Sequence, residues 1–343
     1  MLSGAHDILK KLDPNLGTGA VLLADILPTL LIKSTGPMFL FRFSYSVRIV
    51  TCIIAALVSF LLVAFSTTVA MALAGVVFAS ISAGLGEITF LSMTACYHKS
   101  VISAWSSGTG GAGVVGALAY LGLTEVVSPS QAQLVMTCIP ALMAISYFAM
   151  LTHRPKSLIG PAGATPTGDP YTFKQKLAMT KRLVVPFMLP LFVVYWSEYM
   201  INQGIFENML WPHQHISTDA QYRLYQLLYQ IGVFLSRSSL AIFALSSVWI
   251  PAVVQMANFA VLFVEARVHF FPGIWLTCIW IIFEGLLGGL VYVNAFALIS
   301  KRTKPEHREF SMSIASVADS CGIALAGACS LAINAYLRHH QRT

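Results

Sequence analysis

Residues 278–293 read CIWIIFEGLLGGLVYV, an apolar run with one acidic residue, Glu284, near its middle. The run lies in a longer stretch, 272–300, that is long enough to cross a bilayer as a helix. Its apolar residues do not alternate with polar ones as in a membrane strand, so a spanning helix is predicted. Other charged residues stand alone in comparable stretches, namely Asp25, Glu87, Glu198, Arg237 and Asp319. A charge at bilayer depth is costly and usually faces a water-filled path or another charge, which indicates that something polar crosses the membrane.

The composition excludes an ordinary soluble domain. The chain has 343 residues, of which 57% are hydrophobic and only 10% are charged, and its mean hydropathy is +0.73. Soluble domains have about 25% charged residues. The net charge of +7 does not indicate nucleic-acid binding, because the basic residues lie in short loops between apolar stretches, where they report membrane topology. The sequence therefore predicts an all-α, polytopic protein whose surroundings are the lipid bilayer.

Ten complete spans are predicted. They cover residues 17–39, 47–66, 69–95, 101–123, 131–152, 183–204, 221–245, 248–266, 272–300 and 309–337. Residues 1–10 are too short to cross, and we interpret them as the end of a truncated first helix. The proline-containing, basic stretch 153–182 is predicted to be a cytosolic linker. It would separate an N-terminal helix bundle, 1–152, from a C-terminal one, 183–343.

Similar sequence features recur in the two halves of the chain, six predicted helices apart. Gly84 and Gly86 precede Glu87 in the first half, and Glu284 is followed by Gly285 and further glycines in the second. Charged, glycine-interrupted helices at corresponding places in two halves are typical of a transporter whose site lies between them.

One predicted helix carries three polar residues on a single face. Tyr195, Glu198 and Asn202 are spaced i, i+3 and i+7, and Gln203 is adjacent. A phenol, a carboxylate and amides could bind a hydroxylated solute or carry a proton. The alternative is a buried, hydrogen-bonded strut between helices.

Two more carboxylates are candidates for a site. Glu87 follows two glycines, and Glu284 lines up with Tyr292 on one helix face, with Asn294 on another face. Burial of a carboxylate favours its protonated form, which suits proton coupling in an acidic compartment. The alternative for either carboxylate is an ion pair with Arg237.

Arg237 has two interpretations. Its guanidinium could bind a phosphate or carboxylate through two parallel hydrogen bonds, or it could pair with a carboxylate as a gate residue. Asp25 and Asp319 are expected to be gate or ion-pair partners rather than ligands. No metal site, cofactor motif or catalytic constellation is recognised, so no enzyme is predicted.

Seven long strings carry a family resemblance. They are VLLADILPTLLIK (21–33), VVFASISAGLGEITFLSMTACY (76–97), VISAWSSGTGGAGVVGALAYLGLT (101–124), EYMINQG (198–204), YQLLYQIGVFLSRSSL (225–240), FEGLLGGLVYVNAF (283–296) and EHREFSMSIASVADSCGIALAG (306–327). Together they resemble the battenin family, the lysosomal membrane proteins of juvenile neuronal ceroid lipofuscinosis, from Met1 to about Asn334. That family is similar to the major facilitator superfamily, so the resemblance implies a two-bundle fold.

The resemblance also implies a function. It suggests a multi-pass protein of the lysosomal or late endosomal membrane that takes part in clearing glycerophosphodiesters, with links to lysosomal pH and basic amino-acid handling. We predict a secondary transporter working by alternating access. Arg237 would bind the phosphate of the solute, and its hydroxyls would be bound by Tyr195, Asn202 and Gln203. Protons are one candidate coupling ion. The alternative is a non-transporting membrane regulator of lysosomal pH, basic amino-acid handling and trafficking.

Overall fold

A computed structural model describes residues 5, 8–9, 12, 18–98, 100–151, 171–211 and 218–341. Within these ranges every regular element is a helix. The first half contains α1 (Thr18–Phe39), α2 (Tyr45–Ala64), α3 (Val69–Thr94), α4 (Ser100–Thr124), α5 (Pro129–Val135) and α6 (Cys138–Ile145), which continues as a π-helix (Ser146–Met150). The all-α prediction is confirmed.

The second half is also helical. It contains α7 (Phe173–Leu183), a π-helix (Val184–Met188), α8 (Leu189–Met200), a second π-helix (Ile201–Ile205), α9 (Thr218–Ser238), α10 (Trp249–Val268), α11 (Ile274–Arg302), α12 (Pro305–Ala315) and α13 (Val317–Gln341). The second π-helix directly follows the helix of the predicted polar face, and π-helical turns are frequent at functional sites.

Seven helical stretches in the described residues are long and apolar enough to cross a membrane. They are Tyr45–Ala64, Val69–Thr94, Pro129–Met150, Phe173–Ile205, Trp249–Val268, Ile274–Arg302 and Pro305–Ser330. This confirms a polytopic membrane protein. The remaining three predicted spans overlap α1, α4 and α9. The total of ten spans stays a prediction.

Several helices begin where the sequence supplies a cap. The Ser44 hydroxyl accepts a hydrogen bond from the backbone N–H of Val47, at the start of α2. Ser128 and Gln131 cap α5 reciprocally. These side chains satisfy backbone donors that have no partner inside the helix.

Helix ends differ from the predicted segments at three places. Within the predicted linker 153–182, Thr172 and Gln175 form a reciprocal cap at which α7 begins, at Phe173. The span 221–245 is too long, because α9 ends at Ser238 among serines whose hydroxyls bond to backbone carbonyls. The span 309–337 is interrupted at Ser316, between α12 and α13.

The chain forms two compact units that do not follow chain order. The first consists of residues 1–97, 118–181 and 303–317, and the second of residues 98–117, 182–302 and 318–343. The division by position into 1–152, 153–182 and 183–343 stays a prediction. Of the predicted truncated first helix, the described residues are helical, and Ala5 and Leu9 pack in the first unit with Val63 and Val76.

In the second unit, α9 and α11 approach each other closely. A Cβ atom on Gly285 would lie 2.9 Å from the Val233 nitrogen and 3.1 Å from the Gly232 Cα, and closer still to the Tyr229 carbonyl oxygen. Only glycine permits this contact between backbones. The contact sets the spacing between polar side chains of α9 and α11.

Candidate functional site

Four helices of the second unit contribute polar side chains to one region. The guanidinium pocket consists of Arg237 on α9, Thr109 on α4, Tyr195 on α8 and Tyr292 on α11. The carboxylate pair consists of Glu198 on α8 and Glu284 on α11.

The guanidinium pocket holds Arg237 without an acidic partner. Arg237 Nη1 donates a hydrogen bond to Thr109 Oγ1 at 2.8 Å, and Nη2 donates one to Tyr195 Oη at 2.9 Å. The guanidinium carbon lies 4.0 Å from the centre of the Tyr292 ring, in a cation–π contact. No carboxylate in the described ranges lies within ion-pair distance of Arg237, so two hydroxyls and a ring are its direct contacts there.

Glycine makes room for this pocket. A Cβ atom on Gly110 would lie 3.0 Å from Phe234 Cα and 3.2 Å from Arg237 Cδ, so α4 can approach α9 closely only because that residue is glycine. A Cβ atom on Gly289 would lie 3.1 Å from Arg237 Cγ. The side chain of Arg237 therefore passes between two glycine-lined helix surfaces.

The pocket has the chemistry of an anion site. A guanidinium has five N–H donors, and the described contacts use two of them. The buried Nε of Arg237 has no acceptor among the described residues. Two parallel N–H groups match the oxygens of a phosphate or carboxylate.

The carboxylate pair lies in the interior of the second unit. Glu198 is 2% exposed and Glu284 is 0% exposed. Glu198 accepts a hydrogen bond from the Tyr229 hydroxyl, and Glu284 Oε1 accepts one from Asn202 Nδ2 at 3.3 Å. Neither carboxylate forms an ion pair with a residue in the described ranges. The pair therefore places two acidic groups together with only neutral hydrogen-bonding partners.

Three predicted site residues lie elsewhere or are engaged in structural contacts. Glu87 belongs to the first unit, where its Oε2 lies 2.6 Å from Lys33 Nζ, so its ion-pair partner is lysine and not Arg237. The Asn294 side chain accepts from the Leu245 N–H at 2.7 Å and donates to a carbonyl of its own helix. Gln203 is exposed, while its neighbour Asn202 is buried.

The two predicted gate residues also lie in different units. Asp25 is in α1 of the first unit, and its backbone carbonyl accepts a hydrogen bond from the Ser80 hydroxyl. Within the described ranges, no ion pair involves the Asp25 side chain. Asp319 is buried in α13 of the second unit and accepts a hydrogen bond from the Ser320 hydroxyl at 2.9 Å. Their predicted gating role remains a prediction.

Sequence reasoning missed Thr109, Tyr229 and Lys33. Thr109 and Tyr229 are ordinary residues of apolar helices, and nothing in their local sequence marks them as partners of Arg237 or Glu198. The sequence does contain a feature that marks Lys33 as a partner for a buried acid. It is a single cation at the end of a predicted span, and membrane-embedded acids commonly pair with cations.

Comparison with known proteins identifies the family. A family model described as CLN3 protein matches residues 1–165 and 163–340. The chain belongs to the CLN3 protein family. It is 45% identical over 355 residues to battenin from Canis lupus familiaris, covering 98% of this chain and 81% of that protein.

Two fungal proteins are similar along almost the whole chain as well. Protein BTN1 from Yarrowia lipolytica is 37% identical over 361 residues, which cover 99% of this chain and 91% of that protein. Protein BTN1 from Saccharomyces cerevisiae is 35% identical over 379 residues, with 99% and 91% coverage. The predicted resemblance to the battenin family is confirmed, and it places the guanidinium pocket and the carboxylate pair in a multi-pass CLN3 family protein.

Proposed function

We propose that this chain is a secondary transporter of the lysosomal or late endosomal membrane that exports glycerophosphodiesters by alternating access. The observation that supports it most directly is the guanidinium pocket. A membrane-embedded arginine whose partners are hydroxyls and an aromatic ring is suited to a mobile anion, because a fixed carboxylate would already have neutralised it.

The chemistry of a glycerophosphodiester fits this pocket. The solute has one phosphate anion, which two N–H groups of Arg237 can bind, and several hydroxyls. The Tyr195 hydroxyl accepts from Arg237 and so lies beside the proposed phosphate position. Asn202 would extend the polar surface along the same face of the helix. The compartment and the phosphodiester itself are proposed from the resemblance to the battenin family.

Uptake into proteoliposomes tests the proposal. The purified chain is reconstituted, and uptake of a labelled glycerophosphodiester is measured with and without an imposed pH gradient. Labelled glycerol, which lacks the phosphate, is the control solute. We expect saturable uptake of the phosphodiester and none of glycerol through the protein. The pH gradient tests proton coupling.

Three substitutions make the test specific. Arg237→Ala should reduce uptake at least about tenfold, which corresponds to a loss of about 1.4 kcal/mol in binding. Arg237→Lys retains the charge but loses the paired N–H geometry, so its uptake should be intermediate between that of Arg237→Ala and that of the unmodified protein. Arg223→Ala is the matched control, because Arg223 lies on the same helix and is exposed.

The outcomes separate the transporter from the regulator. Saturable uptake that is lost in Arg237→Ala and retained in Arg223→Ala supports the transporter. Absence of uptake by the folded, unmodified chain would contradict it. In that case the alternative hypothesis, a non-transporting regulator of lysosomal pH and trafficking, is favoured.

A further inference from the structure

Three buried oxygen atoms around the carboxylate pair have no hydrogen-bond donor among the described residues. They are Glu198 Oε2, Glu284 Oε2 and Asn202 Oδ1. Their side chains are 2%, 0% and 5% exposed. A buried polar atom without a partner costs about 1–3 kcal/mol. Three such atoms in one place indicate that something other than these residues satisfies them.

The three side chains are held together by the surrounding structure. Asn202 donates to Glu284 Oε1 at 3.3 Å, and it follows Glu198 by four residues on the same face. A Cβ atom on Gly288, one turn after Glu284, would overlap Glu198 Oε2. The Glu198 carboxylate therefore lies against the part of α11 that carries Glu284. The amide orientation of Asn202 follows from its partner, because an ionised carboxylate can only accept.

Acidic side chains outnumber basic ones around these atoms. Glu198 lies in the field of Arg237 and of Asp319 on α13, and Glu284 lies in the field of Glu198. Tyr229 on α9 and Tyr199 on α8 are the neighbouring phenols. The guanidinium is already engaged by Thr109 and Tyr195. A further positive charge would reduce this excess of acidic groups.

We propose that Glu198, Asn202 and Glu284 bind a sodium ion. Oxygen atoms from carboxylates and amides are the ligands that hard cations prefer. One cation placed between the three side chains would have all three oxygens as ligands, whereas one proton makes a single O–H···O contact between two of them and leaves the third without a partner. The near-complete burial favours a small dehydrated ion over the ammonium group of a larger solute.

Other metals fit less well. The described residues contain no group of three or more His, Cys, Asp and Glu side chains of the kind that holds a transition metal. Mg²⁺ usually keeps several waters in a nearly ideal octahedral shell, which a closed site with three protein oxygens does not favour. The sodium site does not depend on the proposed phosphodiester transport, and where both hold, sodium is the coupling ion.

Thermal unfolding of the purified full chain in detergent tests the binding. Unfolding is followed in sodium, potassium and choline chloride at one ionic strength, at neutral and at acidic pH. Binding to the folded state stabilises it by mass action. We expect a saturable rise of the unfolding temperature in sodium, on the order of 5 °C, with smaller or no effect in potassium and choline.

Substitutions locate the effect. Glu284→Gln and Glu198→Gln should abolish the sodium-dependent rise, since each removes a charged ligand while conserving shape. Glu265→Gln is the matched control. Glu265 is also a fully buried carboxylate of the second unit, and it accepts from the Phe271 N–H at 2.8 Å, which a glutamine oxygen can also do. This variant should retain the sodium response.

Direct binding of radioactive sodium to the unmodified protein keeps the inference testable when a variant fails to fold. Lithium should compete for the site, and choline should not. Equal shifts in all three salts, a rise that depends on pH alone, or a sodium response that survives both Glu→Gln substitutions would overturn the proposal. A response to ammonium and not to sodium would overturn it in favour of an amine ligand.

Discussion

Replacing Gly285 by alanine should separate α9 from α11 and destabilise the second unit. The new Cβ atom would lie 2.9 Å from the Val233 nitrogen and 3.1 Å from the Gly232 Cα, with the Tyr229 carbonyl closer still. These neighbours are backbone atoms, so no rotamer change can relieve the contact and the helices must move apart. Overpacking of this kind costs about 1–3 kcal/mol.

The expected loss can be measured as an unfolding temperature. A cost of about 2 kcal/mol corresponds to a decrease of about 4–8 °C for a unit of this size. The assay is thermal unfolding in detergent, followed by size-exclusion chromatography of the remaining folded protein. Uptake per folded molecule should fall as well, because Arg237 on α9 and Tyr292 on α11 would separate beyond their 4.0 Å contact.

Gly116→Ala provides the matched control. Gly116 is also a helical glycine of the second unit, but a Cβ atom there would have nothing within 4 Å. Its substitution should leave stability unchanged or slightly raise it, since alanine is the better helix former. Equal unfolding temperatures for Gly285→Ala and Gly116→Ala would refute the argument that close backbone contact joins α9 to α11.

Three other substitutions separate structural from functional roles. Lys33→Met should destabilise the protein by about 3 kcal/mol, because it leaves Glu87 without the cation at 2.6 Å. Adding Glu87→Gln should recover part of that loss, which a double-mutant cycle of unfolding temperatures would measure. Asn294→Ala should cost about 1–3 kcal/mol, since the Leu245 N–H loses its acceptor, while uptake per folded molecule stays normal. Gln203→Ala should change neither stability nor uptake, because its side chain is exposed, and a large loss of uptake would restore Gln203 to the site.

The sequence determined the class of protein and most of its helices. Apolar stretches of about 20 residues with isolated charges leave a membrane helix as the stable solution, because backbone polar groups must be satisfied inside the segment. Local capping decides some helix ends, as at Thr172 and Gln175, where α7 begins inside the predicted linker. The T-x-x-Q spacing of a capping box is present in the sequence at these two residues.

Part of the candidate site could also be predicted. Tyr195, Glu198 and Asn202 share a face because the helical period fixes their directions, and the structure places all three among the polar contacts of the second unit. Arg237 was recognisable as a single cation in an apolar helix. Its contacts with two hydroxyls and a ring could not be predicted, because they come from three other helices.

Tertiary structure alone decided the pairing of charges. Glu87 and Glu284 look equivalent in sequence, yet Lys33 lies beside the first, while Asn202 hydrogen-bonds the second. Partners such as Thr109 and Arg237 are separated by more than a hundred residues, so no local pattern can relate them. In a low-dielectric interior the partner determines what a charge can do, and that partner is fixed only when the helices pack.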